Sequence, residues 1–367
     1  MIIICKPEVT EQSPEVTQIL RAVSAFDGVS ARVHTERGQT RSVLEIHLIG
    51  NTAAVPTDAF DDLPGVQNVV RVSDRYRLIG RHRGQIQSTG FEYNGLTFDQ
   101  ASFHVFAGLC AVDTREHTEL MMRALAECGV TTTRMGAYKP RTSPYDFQGH
   151  GRECLPYVFE LAGRYGIRVI AMEVTHEQQI HEVRRALEQS GNATGVMLQI
   201  GTRNAQNFEL LKVVGQQTEF PVLYKRGMGI TLEESFNACE YIASEGNRRI
   251  VFCLRGVKTN LGDPHRNFVD VAHVPVVKRL TRLPVCFDPS HSIGRKELAP
   301  DGLTDIAHVS AMAVIAGANV LLVDFHPAPE KALCDGPQAL LAAELERYLD
   351  DVMTVREAYE KRRKAAV

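Results

Sequence analysis

Eight short runs rich in β-branched and apolar residues alternate with amphipathic segments through the larger, C-terminal part of this sequence. The runs are SFHVFAG (102–108), VTTTRMG (130–136), IRVIAM (167–172), GVMLQI (195–200), PVLYK (221–225), RIVFCL (249–254), PVCFD (284–288) and ANVLLVD (318–324). The segments between them, such as REHTELMMRALAECG and EQQIHEVRRALEQSG, have helical spacing. Strands that alternate with helices form parallel sheets. Eight such repeats predict a closed (β/α)8 TIM barrel, since an open doubly wound sheet usually has a glycine-rich fingerprint after its first strand.

The N-terminal residues predict a separate, smaller unit. MIIIC, SPEVTQILRAVSAF, ARVHTE, SVLEIHLIG, PTDAFDDL and VQNVVRV alternate as strand, helix, two strands, helix and strand. That order is typical of a ferredoxin-like α+β domain. We therefore predict such a domain over 1–75, a linker with a small hairpin over 76–102, and the barrel over 103–367, whose last helix spans 337–364. The small unit has no cluster of catalytic side chains, which favours a regulatory or oligomer-forming role.

Composition excludes several classes of protein. The 367 residues carry a formal net charge of −3, so the chain offers no basic field for nucleic acid. No apolar run is long enough to cross a membrane, and Lys6 interrupts the first apolar stretch, which argues against a signal peptide. The 8 cysteines include no CxxC pair. These features predict a cytoplasmic protein with reduced thiols.

Metal-binding side chains are expected where the strands end, because barrel enzymes place their chemistry on that face. Four residues there offer sulfur, imidazole nitrogen and carboxylate oxygen: Cys110, His291, Asp324 and Asp335. This mixture favours a divalent transition ion, such as Mn, Fe, Co or Zn, over the all-oxygen sites of Ca or Mg. Any one of them alone would more often be structural, so the prediction depends on their convergence at one rim.

Basic residues form a second set at the same face. They are Arg134, Lys139, Arg203, Lys225 and Arg255. Five cations in one barrel mouth repel each other unless anions lie among them, and few acids accompany them along the predicted rim. A guanidinium group binds phosphate or carboxylate through two parallel hydrogen bonds, whereas lysine acts as a mobile point charge. A substrate with both a carboxylate and a phosphate would match this charge, although each cation could instead be solvated or paired locally.

The loop KPRTSPYDFQG (139–149) follows the second run. Pro140 and Pro144 stiffen it, while Arg141 and Thr142 present a guanidinium fork and a hydroxyl that suit a second phosphate. A plain connector is the alternative, but the length of this loop beside a catalytic rim favours function.

Six strings together resemble a known family. KPRTSPYDFQG, QIGTRN, LYKRG, FDPSHSIGR, DFHPAPEKALCDGPQ and AGLCAV are similar to the type I 3-deoxy-D-arabino-heptulosonate 7-phosphate (DAHP) synthases, in the subgroup with an N-terminal ferredoxin-like domain. The resemblance runs in order along essentially the whole chain. It implies a transferase of the shikimate pathway that condenses phosphoenolpyruvate with erythrose 4-phosphate, and a homo-oligomer, either dimer or tetramer.

The resemblance also implies roles for individual residues. Cys110, His291, Asp324 and Asp335 would hold the divalent metal, with Cys110 and His291 counted as catalytic. The five cations Arg134, Lys139, Arg203, Lys225 and Arg255 would bind phosphoenolpyruvate, and Lys139 would donate a proton to the new alkoxide or act only electrostatically. Arg141, Thr142 and Ser290 would hold the phosphate end of erythrose 4-phosphate.

Departures from the family pattern keep two alternatives open. The family usually has Glu where this chain has Asp324, Pro where it has Leu109, and Glu where it has Asp113. A paralogue of specialised metabolism that uses another aldehyde sugar would explain changes on the aldehyde side. A non-catalytic regulatory homologue is the second alternative, and only Asp324 supports it. The KPRT string argues against the related synthases of eight-carbon sugar acids.

Overall fold

The computed structural model describes residues 1–37, 42–70, 76–82 and 89–365. The chain forms two compact units, one of Met1–Arg77 with His82–Gln85 and one of Leu78–Arg81 with Ile86–Val367. The predicted boundary at residue 75 and residues 83–88 of the predicted linker lie outside the described residues. Nowhere in the described part of the chain is a helix both long and apolar enough to cross a bilayer.

The N-terminal unit has the predicted ferredoxin-like architecture. Its elements are β1 (Ile2–Cys5), α1 (Pro14–Val23), β2 (Val29–Arg37), β3 (Ser42–Gly50), α2 (Asp58–Asp61) and β4 (Val66–Val70). The strands pair antiparallel in the order β2-β3-β1-β4. Alternate residues of β3, Leu44, Ile46 and Leu48, are buried in one core with Val16 and Ile19 of α1.

The second unit begins with a hairpin that supplies part of the barrel core. Strands β5 (Phe91–Tyr93) and β6 (Leu96–Phe98) pair antiparallel. Phe98 is fully buried and packs in one cluster with inward residues of several barrel strands, among them Phe106, Met197 and Leu322. Burial of a phenylalanine side chain contributes about 1.5–3 kcal/mol.

Eight parallel strands close into the predicted barrel. They are β7 (His104–Leu109), β8 (Thr132–Met135), β9 (Val169–Val174), β10 (Gly195–Ile200), β11 (Val222–Lys225), β12 (Ile250–Leu254), β13 (Val285–Phe287) and β14 (Val320–His326). Each strand pairs with the next, and β14 pairs with β7, so that Val320 lies opposite His104 and Asp324 opposite Gly108. The fold class predicted from the strand count is confirmed. A two-residue strand, β15 (Leu340–Leu341), extends the sheet beside β14.

Helices follow the strands. They are α3 (Arg115–Glu127), α4 (Leu155–Arg164), α5 (Glu177–Ser190), α6 (Phe208–Gln216), α7 (Leu232–Ser244), α8 (His273–Leu280), α9 (Pro289–Ile293), α10 (Asp305–Ile315) and α11 (Leu345–Ala365). The prediction that the last helix starts at residue 337 was wrong. Residues 336–338 and 342–344 form single 3-10 turns around β15, because pairing with β14 holds Leu340 and Leu341 extended.

Gly108 is required at the end of β7. A Cβ atom there would lie 2.3 Å from the carbonyl oxygen of Arg134, which no side chain can tolerate. The glycine thus lets β7 and β8 approach closely just below Cys110.

Candidate active site

The four predicted metal ligands meet at the carboxyl ends of the strands. Cys110 follows β7, His291 lies in α9 after β13, Asp324 lies in β14, and Asp335 lies on the next loop with a left-handed φ of 56°. One ligand atom from each lies within 4.8 Å of the others. The Sγ atom of Cys110 is 3.0 Å from Asp335 Oδ2 and 3.7 Å from His291 Nε2. The sequence-based expectation that these residues converge therefore agrees with their placement.

Asp288 orients the imidazole of His291. Its side chain caps α9 by accepting the backbone N–H of His291 at 2.9 Å, and its other oxygen lies 2.9 Å from His291 Nδ1. Because Nδ1 donates its proton to this carboxylate, Nε2 carries a free lone pair, and this nitrogen faces Cys110 and Asp335. Burial lowers the pKa of His291 to about 4, so that the ring is neutral at pH 7, as ligation requires.

The donor set fits a divalent transition ion. One thiol, one imidazole and two carboxylates form a mixed set that soft and borderline ions favour. In addition, Asp324 is fully buried, and its Oδ1 forms an ion pair with Arg134 Nη1 at 2.5 Å. A buried carboxylate needs positive partners, and a bound metal ion would add to this pairing. Burial raises the pKa of the Cys110 thiol well above its usual range, so ligation would require the ion itself to displace the proton.

A cavity of about 180 Å³ opens beside this cluster. All five predicted phosphoenolpyruvate-binding cations line it, together with both predicted phosphate-binding residues of the 139–149 loop. The lining comprises Arg134, Lys139, Pro140, Arg141, Thr142, Asp146, Glu173, Gln199, Gly201, Thr202, Arg203, Lys225, Arg255, Arg266, His291, Cys334 and Asp335. The basic residues that the sequence analysis placed at the barrel mouth therefore lie around one cavity.

Acids are more numerous at this rim than the sequence suggested. Lys225 forms an ion pair with Asp288, and Arg134 lies 2.5 Å from Asp324. Lys139 donates to Cys110 Sγ at 2.6 Å, and its Nζ is 3.3 Å from the Asp335 carboxylate. The expectation of few rim acids was wrong, because Asp324 and Asp335 of the predicted ligand set, together with Asp288, pair with these cations.

Arg255 differs from these paired cations. Its side chain is buried, with 2% of the residue exposed, and its Nε has no hydrogen-bond partner among the described residues. Burial lowers its pKa. An almost fully buried guanidinium without a contacting carboxylate is costly unless an anion binds it. An anion bound here would supply the missing partner.

The 139–149 loop contributes the outer wall of the cavity. Arg141 donates to Cys334 Sγ at 2.7 Å and lies 3.3 Å from Asp146. Part of its guanidinium group is therefore already hydrogen-bonded or ion-paired. Thr142 accepts a 2.9 Å hydrogen bond from Arg203.

Ser290, by contrast, is not among the residues that line the cavity. It is fully buried, and its hydroxyl accepts the backbone N–H of Asp324 at 2.9 Å. This placement disagrees with a phosphate-binding role for Ser290 and makes it a support for β14.

Sequence analysis missed several cavity residues. Glu173 is the penultimate residue of β9, and Gln199 donates to it at 3.3 Å. A Cβ at Gly201 would lie 1.8 Å from Glu173 Oε1, so glycine is needed for this carboxylate to occupy the wall. The sequence did contain a signal for Glu173, because this residue directly follows the apolar run IRVIAM and therefore lies at a predicted strand end. Arg266 of the lining, and Gln338 outside it, lie on segments between strands, where strand-end reasoning does not reach.

A second group of potential ligands lies nearby but is satisfied by hydrogen bonds. Oδ2 of Asp113 lies 2.9 Å from His117 Nδ1 and 2.8 Å from His326 Nε2. Nδ1 of His326 accepts the backbone N–H of Ala328 at 3.0 Å, so Nε2 carries the proton. A metal ion at Nε2 would require the other tautomer. This cluster ties β7, α3 and β14 together.

The fold is a (β/α)8 barrel, and its mouth combines a sulfur, nitrogen and oxygen ligand set with a cation-lined cavity. This combination is typical of enzymes that act on anionic substrates beside a metal centre. Sequence comparison specifies the family. The DAHP synthetase I family matches residues 90–361, and the DAHP synthase ferredoxin-like domain matches residues 1–74. The chain belongs to the DAHP synthetase I family.

Individual relatives agree with this assignment. The phospho-2-dehydro-3-deoxyheptonate aldolase of Thermotoga maritima is 38% identical over 340 residues, which is 93% of each chain. A crystal structure of the T. maritima DAHP synthase has a TM-score of 0.70 and 35% identity, covering 97% of each chain. The 2-dehydro-3-deoxyphosphooctonate aldolase of Syntrophobacter fumaroxidans is 28% identical over 285 residues, 73% of this chain and 94% of that protein.

Proposed function

We propose that this enzyme condenses phosphoenolpyruvate with erythrose 4-phosphate to give DAHP and inorganic phosphate, and that the residues of the cavity carry out the reaction as follows. The observation that carries the proposal is one cavity that joins the Cys110 ligand set to a mouth lined by Arg134, Lys225 and Arg255. Family membership and the relative named as a heptonate aldolase, which matches both domains, support the same reaction.

Phosphoenolpyruvate would bind deep in the mouth. Its carboxylate and phosphate match the buried guanidinium of Arg255 and the neighbouring Lys225, with Arg134 and Arg203 completing the set. Binding at Arg255 would supply the acceptor that this side chain lacks among the described residues. The Arg141 and Thr142 pair lies on the outer wall and would hold the phosphate of the aldehyde.

Cys110, His291, Asp324 and Asp335 would hold a divalent ion, with Mn, Fe, Co and Zn as the candidates. When bound, the ion supplies Lewis acidity toward the aldehyde oxygen. The cavity residues would orient the substrates so that the methylene carbon of the enol faces the aldehyde carbon, since correct orientation contributes much of the rate.

Lys139 would donate the proton to the oxygen of the former aldehyde. Burial opposes its charge, but the facing Cys110 and Asp335 outweigh burial and hold the pKa of Lys139 above its usual range. It is therefore charged at neutral pH and lies beside the ligand set. An electrostatic role alone is the alternative for this residue.

Glu173 would accept the proton from the water that adds to the second carbon of phosphoenolpyruvate. It is a carboxylate of the cavity wall that does not belong to the ligand set, and the Gln199 amide donates to it. Addition of the water oxygen and loss of its proton give a phosphorylated hemiketal. The bond between carbon and the phosphate oxygen then breaks with its electron pair on that oxygen, and the hydroxyl proton passes to the departing phosphate, which gives the ketone and inorganic phosphate.

The test supplies the full-length protein with phosphoenolpyruvate, erythrose 4-phosphate and Mn²⁺ and measures phosphate release and consumption of both substrates. Cys110→Ala should abolish turnover and metal retention, whereas Cys253→Ala, which removes a buried thiol of the barrel core, should keep both. Absence of turnover by the wild type with every divalent ion tried would contradict the proposal. A clear preference for another aldehyde in an acceptor screen would favour the paralogue.

The remaining assignments are also proposals. The resemblance supports a homo-oligomer, dimeric or tetrameric, and the cysteine pattern supports a cytoplasmic location. We further propose a regulatory or oligomer-forming domain over 1–75, a linker with a hairpin over 76–102 and the catalytic barrel over 103–367.

A further inference from the structure

We infer that Gln338 is a positioning residue for the metal centre, and that it fixes the orientation of the Asp324 carboxylate within the ligand set. The inference deepens the proposed function, because it assumes that the Cys110 ligand set holds a divalent ion. Gln338 lies in the turn between Asp335 and β15 and is not itself among the residues that line the cavity, although it contacts Arg266 of that lining.

The orientation of the Gln338 amide is determined by its two partners. Only 1% of the residue is exposed. Oε1 accepts a 3.1 Å hydrogen bond from Arg266 Nη1, and Nε2 donates to Asp324 Oδ2 at 2.6 Å. A guanidinium group only donates and a carboxylate only accepts. The amide oxygen of Gln338 must therefore face Arg266, and its nitrogen must face Asp324.

Asp324 needs such a partner. Its backbone is fixed by β14 and by the hydroxyl of Ser290, but rotation of a carboxylate about its last side-chain bond is soft. Arg134 lies 2.5 Å from Oδ1 and could draw both oxygens into a two-pronged ion pair. The hydrogen bond from Gln338 holds Oδ2 away from Arg134, at 3.7 Å from His291 Nδ1, the nitrogen that faces Asp288, and so leaves Oδ1 alone beside Arg134.

The Arg266–Asn267 segment connects Gln338 to the other ligands. Nη1 of Arg266 also lies 3.3 Å from Asp335 Oδ1. The side chain of Asn267 donates to the carbonyl of His291 at 2.7 Å. One loop after β12 therefore contacts Asp335 and His291 directly and reaches Asp324 through Gln338. Partners of this kind typically change metal affinity by about 10–100-fold.

The experiment uses the full-length protein and Co²⁺, whose absorption reports ligand geometry and whose thiolate charge-transfer band reports Cys110. Gln338→Leu should weaken Co²⁺ binding by about 10–100-fold in competition with a fluorescent chelator, and should change the visible bands. Gln338→Met, which keeps the length of the side chain without a donor, should do the same and serves if the leucine variant does not fold.

Gln100→Leu is the matched control. The Gln100 amide donates to the carbonyls of Thr281 and Leu283, just before β13 begins, so this variant removes a comparable amide at the opposite end of the barrel. It should bind Co²⁺ like the wild type. Wild-type affinity and spectrum in both Gln338 variants, or an equal loss in Gln100→Leu, would overturn the inference. A wild type that binds Co²⁺ through Cys110 but gives no turnover would overturn the proposed function and leave the positioning role standing.

Discussion

The ammonium group of Lys139 lies 2.6 Å from the sulfur of Cys110 and 3.3 Å from the carboxylate of Asp335. A cation so close to two candidate metal ligands is fixed beside the place where the aldehyde oxygen would bind. The two side chains would therefore have different roles at this place. Lys139 would deliver a proton, whereas Cys110 would hold the metal ion.

Lys139→Met should lower kcat by about 10²–10⁴-fold, because the reaction loses its proton donor. Removal of a positive charge next to the ligands should leave metal affinity equal or higher. Steady-state kinetics at saturating metal and a chelator titration measure the two effects. Lys212→Met, which removes a lysine paired with Glu209 on α6, is the control and should behave like the wild type. A Lys139→Met enzyme with wild-type kcat would rule out the assigned role.

Arg255→Met and Arg226→Met should differ in their effects on the free energy of unfolding. Arg255 is buried without a contacting carboxylate, so its replacement should not lower the free energy of unfolding. The neighbouring Arg226 is also buried but pairs with Asp270 at 2.9 Å, and Arg226→Met should cost about 3–5 kcal/mol because it leaves that carboxylate unpaired.

Activity should distinguish the same pair of variants. Hydrogen bonds to charged groups contribute about 1.5–3 kcal/mol, so Arg255→Met should raise the KM for phosphoenolpyruvate by about one to two orders of magnitude. Urea unfolding and kinetics test both claims together. If Arg255→Met destabilises the protein as much as Arg226→Met does, Arg255 is a structural residue.

Asp113 should make stability depend on pH in the acid range. Burial raises its pKa, but the hydrogen bonds from His326 and His117 outweigh burial and lower it to about 2, below the ordinary 3.8. A carboxyl with a lowered folded-state pKa stabilises the protein above pH 4, and this contribution is lost as the pH falls toward 2. The difference in unfolding free energy between wild type and Asp113→Asn should therefore be largest near neutral pH and shrink between pH 4 and 2. A difference that stays constant over that interval would contradict this account.

The resemblance to the subgroup with an N-terminal ferredoxin-like domain suggests feedback by an aromatic amino acid, so deletion of the residues before Tyr76 should spare chemistry and remove any inhibition by tyrosine or phenylalanine. The 76–367 segment contains the barrel with its own core, and a truncated T. maritima DAHP synthase covers 77% of this chain at a TM-score of 0.66. Kinetics of the full-length and truncated proteins with and without each amino acid provide the measurement. If both proteins are inhibited alike, the N-terminal domain does not hold the effector.

Much of the architecture followed from local patterns. The alternation of buried and exposed residues in β3 and the eight apolar runs are properties of short segments, so the ferredoxin-like unit and the barrel strands could be predicted residue by residue. The 3-10 turns around β15 could not, because pairing of Leu340 with Phe325 of β14 decides the conformation of those residues.

The sequence by itself determined which chemistry the rim could offer, since a parallel barrel brings strand ends together whatever loops connect them. Cys110, Arg134 and Asp324 were found in this way. Only the tertiary structure decided how these groups are paired, because hydrogen bonds depend on distances of a few tenths of an ångström between distant segments. The pairing of Arg134 with Asp324, the isolation of Arg255 and the contact of Gln338 with Asp324 are of that kind.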